Sequence, residues 1–547
     1  MSNKNLNWAN KIINVLYNLG IEYACICPGS RNSPLTYAIT SSNIKCFSHI
    51  DERSASFFAL GISKKTKKPA IVISTSGTAT ANFFPAIIEA NYSKTPLIII
   101  TADRPKEILK TGANQTIEQK NMFGGNVKVY SNIDSSNMKL NELDNLLFEI
   151  VTYSNGYSDP PGPVHINIPF TEPLVSNIQK MKWNKKTITT VKKEIKRKKN
   201  KYTVNNDTLI ICGPNMYSDI YNKKIILLSE HLKAPILADP CSNIRIGKSP
   251  NIISRYNYFK KKNNSKFQSI IRFGSKPVSK YLNFLIDNND TYLIDPFNRF
   301  NDDADKIIHL DYKSFCDNVI NNNNSISSSS TFENFMKLEK KVNEQLNNKD
   351  IIELECEDNL ISLLFKNSKK IDNIFIGNSK LVRSLDNRMP SSNNKTKIFS
   401  NRGASGIDGI VSSGLGMSLV NNKKNNLILL GDLSLYHDMN GLLAGSRYDL
   451  NATILVVNNN GGGIFNSLDI AKLNIPQFEE YWKTPHNIDF KKVSSLYKCK
   501  YFQTDKIKNI PKLINKSFNI KGLKLIELKI DAEKATKNEQ KIYDLII

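Results

Sequence analysis

The sequence predicts an α/β protein made of three doubly wound parallel-sheet domains in series, and three observations lead to this fold class. Apolar runs of strand length alternate with helical stretches along the chain. Polar segments containing glycine directly follow several of these runs, as they do at the ligand-binding edge of a parallel sheet. The length of 547 residues is too great for a single core. The predicted domains span residues 1–180, 202–320 and 332–547.

The first domain is predicted to open with an amphipathic helix. Apolar side chains recur at helical spacing over residues 1–20, without the successive basic and apolar blocks of a signal peptide. Short apolar runs then predict parallel strands at 23–27, 70–74, 96–101 and 164–168. The basic stretch 180–201 is expected to be a linker to the next domain.

The second and third domains repeat this alternation. Strands of the second domain are predicted at 208–212, 235–238, 269–273 and 291–294. A low-complexity tract of asparagine and serine at 321–330 then marks a domain boundary. The third domain begins with a helix from about Phe332, and its strands are predicted at 373–376, 397–400, 427–430, 453–457 and 523–530.

Composition excludes several classes of function. Hydrophobic residues make up 40% of the chain, but no apolar run approaches the roughly 18 residues of a membrane helix, so no membrane partner is expected. The net charge of +25 comes largely from lysine runs such as 192–201, which lack the interleaved aromatic residues of a nucleic-acid-binding face. No nucleic-acid partner is therefore expected. Eight scattered cysteines show neither zinc nor disulfide spacing, which favours a reducing cytoplasm.

A carboxylate and an amide follow two predicted strands of the third domain. Asp432 comes after the apolar run 427–430, and Asn459 follows the run 453–457, 27 positions later. Because the carboxyl ends of parallel strands meet at one edge of the sheet, both side chains are expected to face one point. Oxygen ligands of this kind suit Mg²⁺ held together with phosphate groups. The alternative is a pair of ordinary turns in an α/β domain.

Similar polar segments in the first domain strengthen the case for a binding site. They follow predicted strands, or lie in the charged cluster before an apolar helix, at 27–34, 49–55, 75–82, 101–105 and 112–115. Together with 401–409 and the metal segment, these motifs (CPGSR, DERSA, TSGTATAN, TADRP, GANQ, NRGASGIDG and GDLS…NNNGG) resemble thiamine diphosphate-dependent enzymes. The likeness is to the branch that acts in menaquinone biosynthesis. It runs through the first and third domains and is weak in the second.

Leu433 narrows the resemblance within the superfamily. The diphosphate motif of the wider superfamily usually begins Gly-Asp-Gly, whereas this chain has Leu433 at the third position, as the menaquinone branch does. The likeness implies the three-domain thiamine diphosphate enzyme fold. The alternative that remains open is another thiamine diphosphate 2-oxoacid decarboxylase or carboligase, of the acetolactate synthase type. A basic scaffold that keeps only a relict of the cofactor fold is a further alternative.

The resemblance also implies the reaction and the partners. Members of this branch decarboxylate 2-oxoglutarate and add the resulting carbanion to isochorismate in a 1,4 sense, using thiamine diphosphate with Mg²⁺ or Mn²⁺. It further implies a homo-oligomer, either a dimer or a tetramer, in which the domain of Glu52 from one copy meets the domain of Asp432 from another. An active monomer is therefore not expected.

Glu52 occupies the position of the activating glutamate of the superfamily. A carboxylate that shares a proton with the pyrimidine N1′ of the cofactor lets the cofactor's own exocyclic nitrogen act as the base. No protein base is then needed, which agrees with a chain of only six scattered histidines. The alternative for Glu52 is a carboxylate at a helix start, favoured there by the helix dipole.

The remaining site residues are carried over from the family motifs position by position. Both implied substrates carry two carboxylates, and arginine forks pair such groups with charge and orientation together. The implied metal ligands are Asp432, Asn459 and the carbonyl of Gly461. The implied cofactor contacts are Pro28, Gly29, Ser76, Asn82, Gly403, Ser405, Ile407, Ser434 and Ile464. The implied substrate contacts are Ser30, Arg31, Arg104, Asn114, Gln115, Lys280, Ser379, Arg383, Arg402 and Phe465.

Two features depart from the family pattern. Gly463 makes a third consecutive glycine where the family commonly has a larger residue, which suggests a more flexible loop after the metal ligands. The second domain lacks a Gly-x-Gly-x-x-Gly segment after its first strand. It is therefore expected to bind no dinucleotide and to serve mainly as a scaffold.

Overall fold

The computed structural model describes most of the chain. The described residues are 4–156, 160–176, 183, 201–202, 204, 207–215, 219–259, 267–296, 302, 304, 306–323, 328–367, 371–391, 395–473 and 475–546. Most of the predicted linker 180–201 and part of the low-complexity tract 321–330 lie outside these residues.

Three six-stranded sheets, all parallel, form the framework of the described residues. The first sheet consists of β1 (Tyr23–Ile26), β2 (Lys45–Ser48), β3 (Ala70–Ser74), β4 (Leu97–Asp103), β5 (Tyr130–Asn132) and β6 (Pro163–Pro169). The second consists of β7 (Thr208–Cys212), β8 (Ile236–Ala238), β9 (Ile252–Ile253), β10 (Ser269–Phe273), β11 (Thr291–Ile294) and β12 (Lys306–Ile308). The third consists of β13 (Asn373–Ile376), β14 (Lys397–Ser400), β15 (Asn426–Gly431), β16 (Ala452–Asn458), β17 (Lys500–Thr504) and β18 (Leu523–Lys529).

Helices connect the strands, as parallel pairing requires. Those before the second sheet are α1 (Lys4–Asn18), α2 (Ser33–Thr40), α3 (Glu52–Thr66), α4 (Thr78–Ala81), α5 (Phe84–Tyr92) and α6 (Leu143–Asn155). The middle of the chain has α7 (Asp219–Leu232), α8 (Lys280–Asp287), α9 (Tyr312–Asn322), α10 (Ser330–Gln345) and α11 (Lys349–Ile352). The last part has α12 (Glu357–Asn367), α13 (Lys380–Arg388), α14 (Ile410–Val420), α15 (Asp432–His437), α16 (Leu442–Arg447), α17 (Phe490–Leu496), α18 (Ile510–Phe518) and α19 (Ala532–Leu545).

The strand orders confirm the doubly wound α/β fold. The first and third sheets share one topology, β2-β1-β3-β4-β6-β5 and β14-β13-β15-β16-β18-β17. The second sheet runs β9-β8-β7-β10-β11-β12, the order of a dinucleotide-binding domain. In such a domain the pyrophosphate lies where the strand order reverses, here between β7 and β10. The loops after these two strands hydrogen-bond to each other, from the N–H of Ser275 to the carbonyl of Pro214 at 2.9 Å. The absence of a bound dinucleotide stays a prediction.

Burial explains why the central strands are so apolar. β3, β4 and β16 are buried along their whole length, which a parallel sheet covered by helices on both faces requires. Each sheet contributes to its own apolar cluster. The first sheet packs with α1 and α6, and the third packs with α12, α13 and α18. This packing brings the carboxyl ends of the central strands to one edge of each sheet, where the polar segments lie.

The contacts divide the chain into two compact units. One unit contains residues 1–196, 401–423 and 437–451, and therefore the first sheet together with α14 and α16. The other contains residues 197–400, 424–436 and 452–547, and therefore the second and third sheets. We call them the first unit and the second unit. The boundaries of the three predicted domains stay a prediction.

In the part of the chain that the structure describes, no helix combines the length and the apolar character that crossing a bilayer would take.

Candidate functional site

Glu52 lies at the first turn of α3 in the first unit. Asp51 caps this helix by accepting a hydrogen bond from the N–H of Ser54 at 3.2 Å, so the fold places Glu52 among the free N–H groups of the helix start. Burial raises the pKa of Glu52, and the Asp51 charge adds to this, whereas its own backbone and the side chain of Asn82 oppose it by hydrogen bonding. The structure thus joins two predicted site residues, Glu52 and Asn82. A carboxyl group with a raised pKa is suited to sharing a proton.

The predicted cofactor loops after β1 and β3 lie against each other. Gly29 approaches Thr75 so closely that a Cβ on Gly29 would lie 2.3 Å from the Cβ of Thr75. Pro28 and Gly29 are exposed, whereas Ser76 is buried. The hydroxyl oxygens of Thr75 and Ser76 are buried and have no hydrogen-bond partner among the described residues. Buried hydroxyls without partners are costly, so this pair is suited to a bound polar group.

A buried polar network that sequence reasoning missed holds the loop after β3. Gln119 accepts the N–H of Gly77 at 2.9 Å and donates to Asn167 at 2.9 Å. Asn167 donates in turn to Asp103 at 2.7 Å, and burial raises the pKa of Asp103. The network therefore ties together the carboxyl ends of β3, β4 and β6. Isolated polar residues inside apolar strands, such as Asn167 in 163–169, were the signal available in the sequence.

The predicted substrate residues of the first unit differ in their surroundings. Arg31 is buried, donates to the carbonyl of Phe170 at 2.8 Å and pairs with Glu172 at 3.1 Å, while its Nε has no partner in the described chain. Arg104 is half-buried and donates to the carbonyl of Asn114 at 2.9 Å. The structure thus brings Arg104 and Asn114 together. Ser30, Asn114 and Gln115 are exposed.

The segment 401–409 runs through the first unit and carries four predicted site residues. Gly403 and Ser405 donate backbone N–H groups to the carboxylate of Glu89. Arg402 is half-buried, and Ile407 is 37% exposed. The exposure of Ile407 rules out simple core packing as the reason for an isoleucine at this position. Sequence reasoning missed Glu89.

Asp432 lies at the carboxyl end of β15 in the second unit, as the sequence predicts, and only 2% of its surface is exposed. Its Oδ1 accepts the N–H of Leu433 at 2.7 Å. Its Oδ2 accepts two further N–H groups, from Asn459 at 3.1 Å and from Gly461 at 2.9 Å. The loop after β16 is therefore folded around the Asp432 carboxylate. The structure brings all three predicted metal ligands together.

The side chain of Asn459 has a buried acceptor that the described chain does not use. Its Oδ1 atom is buried and has no hydrogen-bond partner among the described residues. Gly463 packs on this amide, since a Cβ there would lie 2.4 Å from Nδ2 of Asn459. The loop is further pinned by a 2.6 Å hydrogen bond from the N–H of Gly462 to the carbonyl of Lys483. The third glycine, Gly463, is therefore explained by its close packing against Asn459 and not by a need for a flexible loop.

His486 is a further member of this site, and sequence reasoning missed it. Its Nδ1 accepts the N–H of Ile488 at 3.0 Å, so the neutral ring carries its proton on Nε2. Nε2 lies 3.1 Å from Oδ2 of Asp432, but the approach is too oblique for a hydrogen bond, and this buried nitrogen has no partner in the described residues. Asn460 holds the loop of His486 by accepting the N–H of Asn487 at 2.8 Å. The histidine thus presents a donor, not a metal ligand, beside Asp432.

The other predicted residues of the second unit lie in α15, in the turn after the metal loop and at the start of α13. Ser434 is buried in α15, and Ile464 and Phe465 are half-buried in a 3₁₀ turn after the metal loop. Arg383 is exposed and donates to the carbonyl of Ser379, one turn earlier at the start of α13. Lys380 holds this helix start through ion pairs with Glu357 at 2.9 Å and Glu539 at 3.3 Å.

Lys280 lies at the start of α8. It is exposed, and its charge contributes, after that of Lys472, to lowering the pKa of Asp469, which lies in the segment following Phe465. Lys280 and the segment of Phe465 are therefore close enough to interact electrostatically. This interaction supports Lys280 as a candidate, although its side chain is exposed.

The donor set around Asp432 fits a divalent metal ion held with a diphosphate. Within the described ranges, no three histidine, cysteine, aspartate or glutamate side chains lie close enough to hold a metal ion by themselves. One carboxylate, one amide oxygen and one loop carbonyl fill only part of an octahedral shell, and Mg²⁺ completes such shells with phosphate and water. The unused Oδ1 of Asn459 is the atom that such an ion would satisfy.

Comparison with known proteins agrees with this geometry. Residues 6–122 match the N-terminal TPP binding domain of thiamine pyrophosphate enzymes, and residues 383–528 match the C-terminal TPP binding domain. The chain is 33% identical to the 2-succinyl-5-enolpyruvyl-6-hydroxy-3-cyclohexene-1-carboxylate synthase of Lactococcus lactis subsp. cremoris, over 95% of this chain and 96% of the relative. It is 35% identical to the synthase of the same name from Listeria welshimeri, over 98% and 96% of the two chains.

A solved structure extends the comparison to the fold. The thiamine diphosphate-dependent 4-hydroxybenzoylformate decarboxylase of Rhodococcus jostii RHA1 superposes with a TM-score of 0.73 at 13% identity. The match covers 96% of this chain and 99% of the decarboxylase. At this level of identity the likeness concerns the fold alone.

Proposed function

This chain belongs to the 2-succinyl-5-enolpyruvyl-6-hydroxy-3-cyclohexene-1-carboxylate synthase family of thiamine diphosphate enzymes, and on that premise we propose that it decarboxylates 2-oxoglutarate and adds the four-carbon product to isochorismate. The observation that carries this proposal is the match to synthases of one name along nearly the whole chain, at about one third identity. Leu433 in the diphosphate motif supports the same branch. The chain would act as a transferase that forms a carbon–carbon bond with release of CO₂.

The metal loop would anchor the cofactor. Asp432, Asn459 and the carbonyl of Gly461 would hold Mg²⁺ or Mn²⁺ together with the diphosphate group of the cofactor. When bound, thiamine diphosphate supplies the electron sink that decarboxylation of a 2-oxoacid requires. Three backbone N–H groups donate to the Asp432 carboxylate and hold it in place at the end of β15. The carboxylate is thus already oriented for a metal ion.

Glu52 would hold a proton at the pyrimidine N1′ atom. Its raised pKa supports this role, because burial disfavours the charged form of the carboxyl group and so favours a shared proton. Asn82 would orient the carboxyl group through the hydrogen bond between the two side chains. The hydroxyls of Thr75 and Ser76 are buried donors that have no partner in the described residues and would satisfy polar atoms of the same ligand.

Cationic side chains would bind the carboxylates of both substrates. Arg383 is exposed and Arg402 is half-buried, so their guanidinium groups are candidates for direct pairing. Arg104 would act together with Asn114, to whose carbonyl it is tied. Arg31 already pairs with Glu172, so a substrate carboxylate would compete for its charge. Lys280 would extend this set from the second unit.

The assembly and the compartment follow from the same premise. We propose that the protein acts as a homo-oligomer, a dimer or a tetramer, with two small-molecule substrates and no nucleic-acid or membrane partner. All eight cysteines are free thiols, which supports a reducing cytoplasmic location.

A CO₂-release assay tests the proposed reaction. Purified protein with thiamine diphosphate and Mg²⁺ would be given 2-oxoglutarate, with and without isochorismate, and in parallel pyruvate. The expected result is CO₂ release from 2-oxoglutarate that rises when isochorismate is present, with formation of the carboligated product. Efficient turnover of pyruvate alone would overturn the substrate assignment but leave the cofactor assignment intact. The control is Asp432→Ala, which should lose metal-dependent cofactor binding and with it both activities.

A further inference from the structure

The carboxylate of Glu89 is buried in the first unit and accepts hydrogen bonds from three consecutive backbone N–H groups. Glu89 lies in α5 and is 3% exposed. The N–H of Gly403 lies 2.9 and 3.0 Å from its two oxygens, that of Ala404 lies 2.7 Å from Oε2, and that of Ser405 lies 3.4 Å from Oε2. One side chain thus determines the path of the segment 403–405, which is 314 positions away from it in sequence.

The segment has the shape of an anion-binding nest, and Glu89 is the anion that fills it. The three N–H groups converge on this one carboxylate, as in an anion-binding nest, and the last of the three residues, Ser405, has a left-handed φ of +64°. This conformation is unfavourable for a residue with a Cβ, so the surrounding contacts must maintain it. Gly403 lies directly on the end of α5, because a Cβ there would be 2.6 Å from both the carbonyl of Glu89 and the N–H of Ser93.

Lys64 forms a buried ion pair with Glu89. Its Nζ lies 3.1 Å from Oε1 of Glu89, and the two side chains are 8% and 4% exposed. Lys64 belongs to α3, the helix that begins at Glu52. A buried ion pair is weak support for stability, since apolar side chains of similar size commonly do as well. The distinctive effect of this pair is therefore to hold a charged acceptor under the three N–H groups.

We propose that Glu89 is a positioning residue that fixes the segment 402–408 and thereby sets where Arg402 meets a substrate carboxylate. The inference rests on the proposed function, because Arg402 is a substrate residue only if the substrates are dicarboxylates. Glu89 itself touches no substrate. Its loss should leave Glu52 and the metal loop in place but release the backbone on either side of Ser405.

Glu89→Gln tests this proposal, because it keeps the size of the side chain but leaves one acceptor oxygen for three N–H groups. We expect KM for the dicarboxylate substrates to rise about tenfold, as the loss of a charged hydrogen-bond acceptor would cause, with a smaller change in kcat. In an Arg402→Ala background the same change should add little, because Glu89 acts through Arg402. Full additivity of the two changes, or an unaltered KM in Glu89→Gln, would overturn the proposal.

Two matched variants separate positioning from stability. Lys64→Met removes one partner of the ion pair and leaves the buried charge of Glu89 without compensation, so it should lower the melting temperature. The Glu89 carboxylate would still accept the three N–H groups, so KM should stay near that of the parent protein. Glu22→Gln removes the exposed pair of Glu22 with Lys68 elsewhere in the unit and should change neither quantity. An equal rise of KM in Lys64→Met and Glu89→Gln would mean that the pair merely stabilises the unit.

Hydrogen exchange tests the segment independently of turnover. The amides of residues 403–405 should exchange faster in Glu89→Gln than in the parent protein. In Glu22→Gln their exchange rates should be the same as in the parent protein. If the parent protein fails to turn over 2-oxoglutarate, the proposed function fails while this measurement still decides the role of Glu89. If Glu89→Gln does not fold, Glu89→Asp keeps the charge for Lys64 but retracts the carboxylate, and the same faster exchange is expected. Unchanged exchange in the folded variant would overturn the proposal.

Discussion

At the scale of single residues, two opposing effects act on the pKa of Glu52. Burial raises it, whereas the position of Glu52 at a helix start favours the ionised form. Since the folded-state pKa is above that of an unfolded chain, ionised Glu52 destabilises the protein as the pH rises through that interval. Glu52→Gln is therefore expected to reduce turnover by roughly 10²-fold or more, while the melting temperature at pH 8 stays the same or rises. Turnover and melting would be measured on the same preparation.

The control for Glu52 is Glu22→Gln, which removes an exposed carboxylate from the same unit. It should leave turnover unchanged. The affinity of Glu52→Gln for thiamine diphosphate in the presence of Mg²⁺, measured by titration, should remain close to that of the parent protein. Unchanged turnover in Glu52→Gln would remove Glu52 from the mechanism.

His486 yields a second residue-scale prediction. Its Nε2 donor lies 3.1 Å from Oδ2 of Asp432 without a hydrogen bond, and a small rotation of either group would form one that restrains the carboxylate in the orientation the metal ion needs. His486→Phe keeps the ring that packs edge-on against Phe490 but removes both nitrogens. We expect the affinity of the apoprotein for thiamine diphosphate at fixed Mg²⁺ to fall about tenfold, as outer-shell changes commonly cause. Calorimetric titration measures this without any turnover.

The matched control is His231→Phe, because His231 contacts the carbonyl of Asn323 in the same unit, away from the metal loop. It should bind the cofactor like the parent protein. Equal affinity in His486→Phe and the parent protein would show that Asp432 needs no such restraint. A similar loss in both variants would instead indicate general destabilisation.

Motif spacing predicted some site residues and missed others for a physical reason. Asp432 and Asn459 each follow an apolar strand, and the rule that parallel strands end at one edge is enough to bring them together. Glu89 and His486 act on backbone segments and carboxylates that no local pattern connects to them. The only sign of Glu89 in the sequence was a lone carboxylate inside the apolar helix FPAIIEANY.

At the scale of elements, Asp438 joins the helix of Glu52 to α14. It is fully buried and accepts two hydrogen bonds from Ser412, one from the N–H at 2.7 Å and one from the hydroxyl at 2.8 Å. It accepts a third from the hydroxyl of Ser54 at 3.4 Å. Burial raises the pKa of Asp438 to about 7, opposed by the bonds from Ser412 and the charge of Arg53. Asp51 on α3 adds to the rise.

This carboxyl group should make the stability of the first unit depend on pH. An unfolded aspartate ionises near about pH 4, so between about pH 4 and 7 the folded chain keeps a proton that the unfolded chain has lost. The free energy of unfolding therefore falls as the pH rises through this window and is flat above it. Asp438→Asn can accept the N–H of Ser412 and donate to its hydroxyl. It is expected to weaken the slope and to raise the melting temperature at pH 8.

Melting curves from pH 4.5 to 8 would check this expectation. His437 contacts Arg53 next to this cluster, so the comparison must be made between variants and not from the parent curve alone. The control is Asp505→Asn, which removes an exposed carboxylate and should leave the slope as it is. A slope that is equal in Asp438→Asn and the parent protein would contradict the assignment.

The elements themselves were predictable to different degrees. Every predicted strand is present within one or two residues of its predicted ends, because strands buried on both faces are continuous apolar runs. The strands missed from sequence, β2, β5, β9, β12 and β17, all lie at or form the edges of their sheets. Edge strands such as β2 and β17 are mostly half-exposed and carry lysines, so no apolar run marks them.

At the scale of the whole molecule, sequence order and packing give different divisions of the chain. The helices α14 and α16 lie between strands of the third sheet in sequence, yet they belong to the first unit. α14 packs against α3 there, with Ser413 donating to the carbonyl of Phe57 at 3.1 Å. Periodicity predicts that a segment is helical, but an apolar helix gives no indication of which sheet or helix it will pack against.

The assignment of Glu52 and Asp432 to different copies of the chain is the last prediction. Glu52 belongs to the first unit and Asp432 to the second, and the family resemblance implies that each cofactor is served by both residues from two copies. Glu52→Gln and Asp432→Ala should each be nearly inactive as homo-oligomers. A symmetric dimer with one copy of each variant has one site carrying both changes and one site carrying neither. Such a dimer should therefore regain about half of the parent activity.

Co-expression with two different affinity tags, followed by purification over both, isolates the mixed dimer for this measurement. If both residues of a site came from the same copy, each site of the mixed dimer would carry one change, and the purified species would stay inactive. The control for the tags is a dimer in which both copies carry Glu52→Gln, each with a different tag. Its activity should stay as low as that of the untagged Glu52→Gln protein. Since the two arrangements predict about half activity and none, a single turnover assay on the mixed dimer distinguishes them.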